Sequence, residues 1–348
     1  MNMVEMLNSI RESATQVYQE RIPEATRANM DDIRYAMLDE NNIVVANEFM
    51  STLLNKLVKS VVITKLFENP LKSLKKGNKP LGDSVEEIYS NFIKAEGFDQ
   101  TGADLLKRNL PDTKTVYHRT NRKDKYKITV SREILSKAFA SYDALETYIN
   151  SQIQTLYNSA ELDEFVNMKQ LIKDALDNNA VIKMDIPEPL ASEANGKEFI
   201  KSVKTVSGLM KFPSTKWNAY LTAQSVDTKP ITTFSRKNEQ YLILDTATDT
   251  SCSVDVLASM FNMSVADFND TRKIVIDSFP DKNCRAFLCD EQFFQIFDDL
   301  YVIKPWENPE GLYTSYTLHV WQTMAYSILV NAVAFMAPEA TATTGEEE

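Results

Sequence analysis

Residues 77 to 84 read GNKPLGDS, two glycines with four residues between them followed by Asp83 and Ser84. With Lys before the Ser or Thr, that spacing makes a loop whose backbone N–H groups cradle nucleotide phosphates. Here Asp83 stands in the lysine position, and its carboxylate would repel a phosphate. The segment that leads in, KSLKK, is no apolar strand, and no βαβ unit surrounds it. Glycines at this spacing, with Lys79-Pro80 between them, describe a turning, extended corner of the chain instead.

Other chemistry is equally thin. The only histidines are His118 and His319, which leaves acid-base work to carboxylates. The cysteines Cys252, Cys284 and Cys289 are odd in number and lack paired spacing, as expected of reduced thiols. Cys284 and Cys289 have no histidine nearby to complete a zinc set. We therefore expect no catalytic residue, no metal and no cofactor. LDEFVNMKQ brings Asp163, Glu164 and Lys169 close in sequence, which on a helix reads as a solvated face or a subunit contact. Lys72, Lys75, Lys76 and Lys79 could hold phosphates or pair with acids on a neighbour. Trp306, Trp321, Phe293, Phe294 and Phe297 read as core.

Composition narrows the class. The chain has 348 residues, of which 43% are hydrophobic and 25% charged, the balance of a soluble globular protein with a sizeable core. Its net charge of -11 argues against a general nucleic-acid binder. The N-terminus carries charge within its apolar run and is no signal peptide. No stretch reaches the roughly 20 apolar residues of a membrane span. The most apolar one, 318–337, is interrupted by His319, Gln322, Ser327 and Asn331 and reads as buried strands.

Periodicity sets the elements that must position these residues. Apolar positions at helical spacing run from 3 to 20, and Pro23 breaks any continuation. The segment 43–67 is apolar enough to dock on something. Residues 65–132 hold 15 Lys and Arg against 9 Asp and Glu, a formal charge of about +6 in an acidic chain. Within it, Tyr126, Ile128 and Val130 alternate with Lys127 and Thr129, a strand period. Together with KTVYHR and the charged TNRKDK, this predicts a projecting hairpin. SVEEIYSNFI (84–93) has a helical period. From 141 to 177 a broad apolar stripe without Gly or Pro predicts one helix of about 35 residues. Between 142 and 177 that helix carries seven acids and two lysines. After DIPEPL the chain becomes mixed α/β, with helices at GKEFIKSVKTVSGLMK and VDVLASMF and a strand at RKIVIDSF. The tail ATATTGEEE is expected to be disordered.

Four long stretches together resemble one family. They are NPLKSLKKGNKPLGDSVEEIYSNFIK, YNSAELDEFVNMKQLI, VDVLASMFNMSVADF and NPEGLYTSYTLHVWQTMAYSILVNAVAF. In this order and spacing the chain, from about 40 to 337, resembles the major capsid proteins of phi-29-type phages, small short-tailed podophages. The first 40 residues resemble them only weakly. The phi-29 relative carries a further immunoglobulin-like C-terminal domain for which this sequence has no room, so its surface role is expected to be missing. The resemblance implies an α+β fold of the Hong Kong 97 (HK-97) capsid type. It places an N-terminal arm and docking segment at 1–64 and an extended β-hairpin loop at 65–135. A peripheral domain with a spine helix (about 141–177) follows at 136–190, then an axial domain at 191–305. Residues 306–338 would return to the peripheral domain, and 339–348 form the acidic tail. This placement makes SVEEIYSNFI a strand against its period, and we follow the placement.

The function implied is assembly of the icosahedral or prolate head shell around double-stranded DNA. The protein would form pentamers and hexamers, work with a scaffolding protein and a portal connector, and enclose DNA without sequence-specific binding. It would reside in the virion, be assembled in the host bacterial cytoplasm and touch no membrane. Charge asymmetry suggests that the basic loop of one subunit lies on the acidic spine of the next. Lys72, Lys75, Lys76, Lys79, Arg119, Arg122, Lys123 and Lys125 would face Asp143, Glu146, Glu161, Asp163 and Glu164. Leu105, Leu106, Leu110 and Val116 are candidates for the apolar share of that contact. The competing readings are an encapsulin-like compartment of the same fold, a carboxylate-based hydrolase and a coiled-coil adaptor. Scarce histidine and the lack of a nucleophile motif weigh against the hydrolase. The breadth of the helical stripe weighs against the coiled coil.

Overall fold

A computed structural model of the chain describes residues 3–29, 32–33, 35–36, 45, 48–49, 67–98, 100, 107–131, 142–223, 229–251, 272–308, 310–311 and 313–337, without the side chains of 3, 5, 6, 131, 142–153, 251, 307 and 314. Most of the docking segment 43–67, Leu105, Leu106, Cys252, the helix expected over VDVLASMF and the acidic tail lie outside these residues.

The helical stripe of the sequence becomes one element, α3 (Tyr142–Asp177), 36 residues long. At 1.5 Å per residue that is roughly 54 Å. It follows two short helices, α1 (Met3–Ser13) and α2 (Gln16–Arg21), and four strands, β1 (Lys75–Asn78), β2 (Val85–Ser90), β3 (Thr113–His118) and β4 (Arg122–Ser131). Asn179 ends α3 in the left-handed region at φ 50°, with the Ala180 amide donating to the Ala175 carbonyl at 2.8 Å and the Asn179 amide to that of Leu176 at 3.1 Å. These two bonds satisfy carbonyls that the last turn leaves open.

Beyond α3 come β5 (Ile182–Asp185), α4 (Glu193–Leu209), β6 (Gln240–Asp245), β7 (Lys273–Ile276), β8 (Cys284–Asp290), β9 (Phe294–Asn308), β10 (Tyr313–Tyr326) and β11 (Ala332–Met336). Ser192 caps α4, its hydroxyl accepting from the Asn195 amide at 3.2 Å. The chain divides into two compact units, one of 1–69, 121–164 and 298–322, the other of 70–120, 165–297 and 323–348. α3, β9 and β10 each contribute residues to both.

The second unit is a layered α/β body. Its five-stranded sheet runs β5-β11-β8-β6-β7, and strand period 2 sorts the three central strands between two cores. Ile243, Phe287, Cys289 and Ala334 pack with Phe165, Met168, Leu171 and Ile172 of α3. Leu242, Leu244, Ala286, Leu288, Val333 and Phe335 pack with Phe199, Val203 and Val206 of α4. Covering both faces explains why YLIL, AFLC and AVAF read as unbroken apolar runs. Burial pushes the thiols of Cys284 and Cys289 up, so they act as small apolar residues.

In the first unit β4 lies antiparallel to β10, with Ile128 opposite Tyr316 and Tyr126 opposite Leu318. Tyr126 and Ile128 pack with Leu156, Ala160, Leu318 and Val320. The alternation at 126–130 is therefore a strand, as expected, but its partner is β10. The predicted hairpin between KTVYHR and YKITV is corrected on this point, since β3 pairs with β2. The return segment 306–338 also splits. β10 lies beside β4, whereas β11 inserts between β5 and β8.

Asp290, at the end of β8, is buried and accepts from Ser235 Oγ and from the Gln292 amide at 2.9 Å. Burial raises its pKa above the ordinary value. Its protonation therefore favours the native state, a contribution complete below the unfolded pKa and lost as pH rises through the folded one. Asp290→Asn is expected to gain stability relative to wild type as pH rises from about 3 to 7. Parallel urea-unfolding curves across that range would contradict the assignment.

Candidate assembly surface

Gly77 and Gly82 have φ values of 119° and 91°, a region that side chains disfavour. The Asp83 amide closes on the Pro80 carbonyl at 3.3 Å, so Gly82 occupies the third position of a four-residue turn, where positive φ calls for glycine. GNKPLGDS thus joins β1 to β2. A strand follows it, where a phosphate cradle would have a helix N-terminus.

β2 and β3 form a two-stranded antiparallel ribbon, with Val85 opposite His118 and Ser90 opposite Thr113. SVEEIYS is accordingly a strand. One face of the ribbon is tied to its own unit. Tyr89 Oη donates to the Thr232 carbonyl, and Asn91 Nδ2 donates to the Pro230 carbonyl at 2.9 Å. The Thr232 amide returns a bond to Asn91 Oδ1 at 3.1 Å. Tyr89 and Val116 pack on Tyr220, Ile231 and Leu329. The other face presents Ile88 and Tyr117 to solvent. In the connection between the two strands Ile93, Phe98 and Leu110 are 82%, 90% and 86% exposed. Isolated exposed apolar residues are ordinary, but three this open within one connection make it a candidate contact surface.

The residues singled out in the sequence fall into three groups. Lys72, Arg119, Lys123 and Lys125 are exposed, and Lys75 and Lys79 are half-buried. Lys79 donates to the Asp83 carbonyl at 2.5 Å, and the Lys123 ammonium lies 4.8 Å from the Trp321 ring centroid. Asp163 is exposed and accepts from Tyr126 Oη at 2.8 Å, while Glu161 is half-buried. Asp143 and Glu146 lie on α3, with side chains outside the described residues.

Three others have partners within their own unit. Lys76 Nζ donates to the Glu291 carbonyl, and desolvation lowers its pKa. Arg122 and Glu164 are buried in one polar network of the first unit. Arg122 bonds Asp124 Oδ2 at 2.5 Å and Gln322 Oε1 at 2.6 Å, and Gln322 Nε2 donates to Glu164 Oε2 at 2.6 Å and Asp298 Oδ1 at 2.7 Å. A buried charge must be paired where it sits, and Arg122 and Glu164 are paired inside their own unit. The aromatic reading also divides. Phe293 and Phe294 are core, whereas Trp306 is exposed with Lys127 5.8 Å from its ring centroid.

Sequence reasoning missed the seat formed by Tyr89, Asn91, Pro230 and Thr232. The two sides lie about 140 residues apart, and nothing in local periodicity links them.

The family described as Phi29-like phage major capsid protein matches residues 7–336. The chain belongs to this family. The capsid protein is 33% identical to the major capsid protein of Bacillus phage PZA over 98% of this chain and 74% of that one. It is 25% identical to that of Streptococcus phage Cp-1 over 97% of this chain and 95% of the relative. Among solved structures, a capsid chain of Staphylococcus phage Andhra superposes with a TM-score of 0.64 at 15% identity, covering 79% of this chain and 86% of that one. A chain of the mature capsid of bacteriophage PhiM1 gives 0.53 at 9% identity, covering 79% and 89%. The fold is thus α+β of the HK-97 capsid type. The capsid protein is a component of a phage shell, with a structural and non-enzymatic role.

Proposed function

We propose that this capsid protein builds the closed head shell of a short-tailed phage around double-stranded DNA, as pentamers and hexamers of one chain. The observation that carries this reading is the family match over residues 7–336. The exposed Ile93, Phe98 and Leu110 support it, because an apolar connection of this kind is covered when subunits join. The segment 65–135 acts as the extended loop at its ribbon and connection, and its basic rim of Lys72, Lys75, Lys79 and Arg119 steers it toward acids on a neighbour. Rim charges of this kind set encounter and register, while apolar burial supplies most of the affinity. A scaffolding protein guides curvature and a portal connector occupies one vertex. The acidic remainder of the chain suits a wall beside packed DNA, since a basic lining would bind phosphates and hinder their release. Assembly takes place in the host cytoplasm and the product is the virion shell. Electron microscopy of the concentrated protein, alone and co-expressed with its scaffolding protein, is expected to show closed shells. A protein that stays monomeric under both conditions would refute the reading.

A further inference from the structure

A second basic stretch lies outside the loop. Residues 197–237 hold eight Lys and Arg against two acids, a formal charge of about +6 within 41 residues of an acidic chain. The structure gathers part of this charge at one end of α4. The Ser235 amide donates to the Met210 carbonyl at 2.8 Å, and Ser214 and Thr233 form an antiparallel bridge. These bonds bring 209–214 alongside 233–237. Lys204 and Lys211 both act electrostatically on Lys237. Among the nearby acids, Glu239 is engaged by Arg236 at 3.4 Å.

The same place exposes large apolar side chains. Leu209, Phe212 and Phe234 all lie open to solvent. Phe92, leaving the end of β2, stacks on Phe234 with ring centroids 6.4 Å apart and also remains exposed. Lysines beside open aromatic rings ask for two things at once, negative charge and apolar surface. Duplex DNA offers the first on its backbone without the second. A second copy of this chain would bring its acids, but the most open apolar residues described on it sit in the loop connection.

We propose that this face is a docking surface for an acidic amphipathic helix of a partner protein. Carboxylates of the helix lie over Lys204 and Lys211, and its apolar stripe lies over Leu209, Phe212 and Phe234. The surface goes beyond shell formation, so its test is run on the purified subunit.

The probe is a fluorescently labelled, helix-forming peptide of Glu and Leu with one apolar stripe. A control peptide keeps the Glu and replaces Leu by Ser, and a duplex DNA fragment is a second control. Wild-type protein is expected to bind the first peptide and to weaken as salt rises from about 0.05 to 0.5 M. The double variant K204E/K211E is expected to lose about tenfold or more in affinity. F212S is expected to lose about tenfold while keeping the salt dependence. Since these positions are exposed, an unchanged melting curve accompanies each loss. Equal binding of the control peptide or of DNA would reduce the face to a bare polyanion site and overturn the proposal. Undiminished peptide binding by the variants, no binding at all, or an effect confined to self-association in sedimentation would overturn it too.

Discussion

Replacing Phe98 and Leu110 together by Asp is expected to abolish shell formation and leave the subunit's unfolding transition in place. Both side chains are almost wholly exposed on the connection between β2 and β3, so neither contributes to the core of its own subunit. Surface changes of this kind alter stability by no more than about 0.5 kcal/mol. In a shell the balance reverses. Covering a Phe or Leu contributes about 1.5–3 kcal/mol, whereas burying an unpaired carboxylate in the same place costs more than that gain. A closed container repeats the contact in every subunit, so a loss of that size acts on each joint. Size-exclusion chromatography and electron microscopy would report monomer or small oligomer, with circular dichroism and melting as in wild type. Abundant shells of normal size from the double variant would show that the connection stays outside the joint.

Phe335→Ala is expected to cost about 3–5 kcal/mol of unfolding free energy. That is a large share of the roughly 5–15 kcal/mol that holds a domain folded. β11 lies between β5 and β8, where its backbone pairs on both edges. Phe335 is fully buried, and its ring meets Phe199 of α4 edge-on with centroids 6.1 Å apart. Truncation leaves a cavity between sheet and helix that the paired strand cannot collapse to fill. Urea unfolding followed by fluorescence would read the loss as a lower midpoint. Phe335→Leu, which keeps most of the volume, is expected to lose much less. A truncation cost below about 1 kcal/mol would mean that this side of the sheet is loosely packed.

The two variants divide the molecule as its chemistry does. One strikes a surface that does nothing for the monomer, and the other a core that does everything for it. Lys76, Arg122 and Glu164 mark why sequence alone blurred that division. By type and position each was a candidate for a charged contact surface, and each has a partner inside its own unit. A charge within a basic or acidic run is legible as charge. Whether it faces solvent or a buried Gln322 depends on a strand 200 residues away. The apolar connection shows the same limit from the other side. Leu110 was a candidate contact residue in the sequence, whereas nothing in local pattern marks Ile93 and Phe98, and the fold leaves all three uncovered.

By itself the sequence determined the long helix, the strand alternation at 126–130, the buried strands within 318–337, the failure of GNKPLGDS as a phosphate site and the family. These rest on periodicity, turn chemistry and extended similarity, all written within short spans of chain. Only the tertiary structure decided that β3 joins β2 and β4 joins β10, that β11 completes the five-stranded sheet, and which charges are paired within the subunit. Strand partners and buried ion pairs are chosen by contacts between distant residues, whose energy appears only when the whole chain is folded.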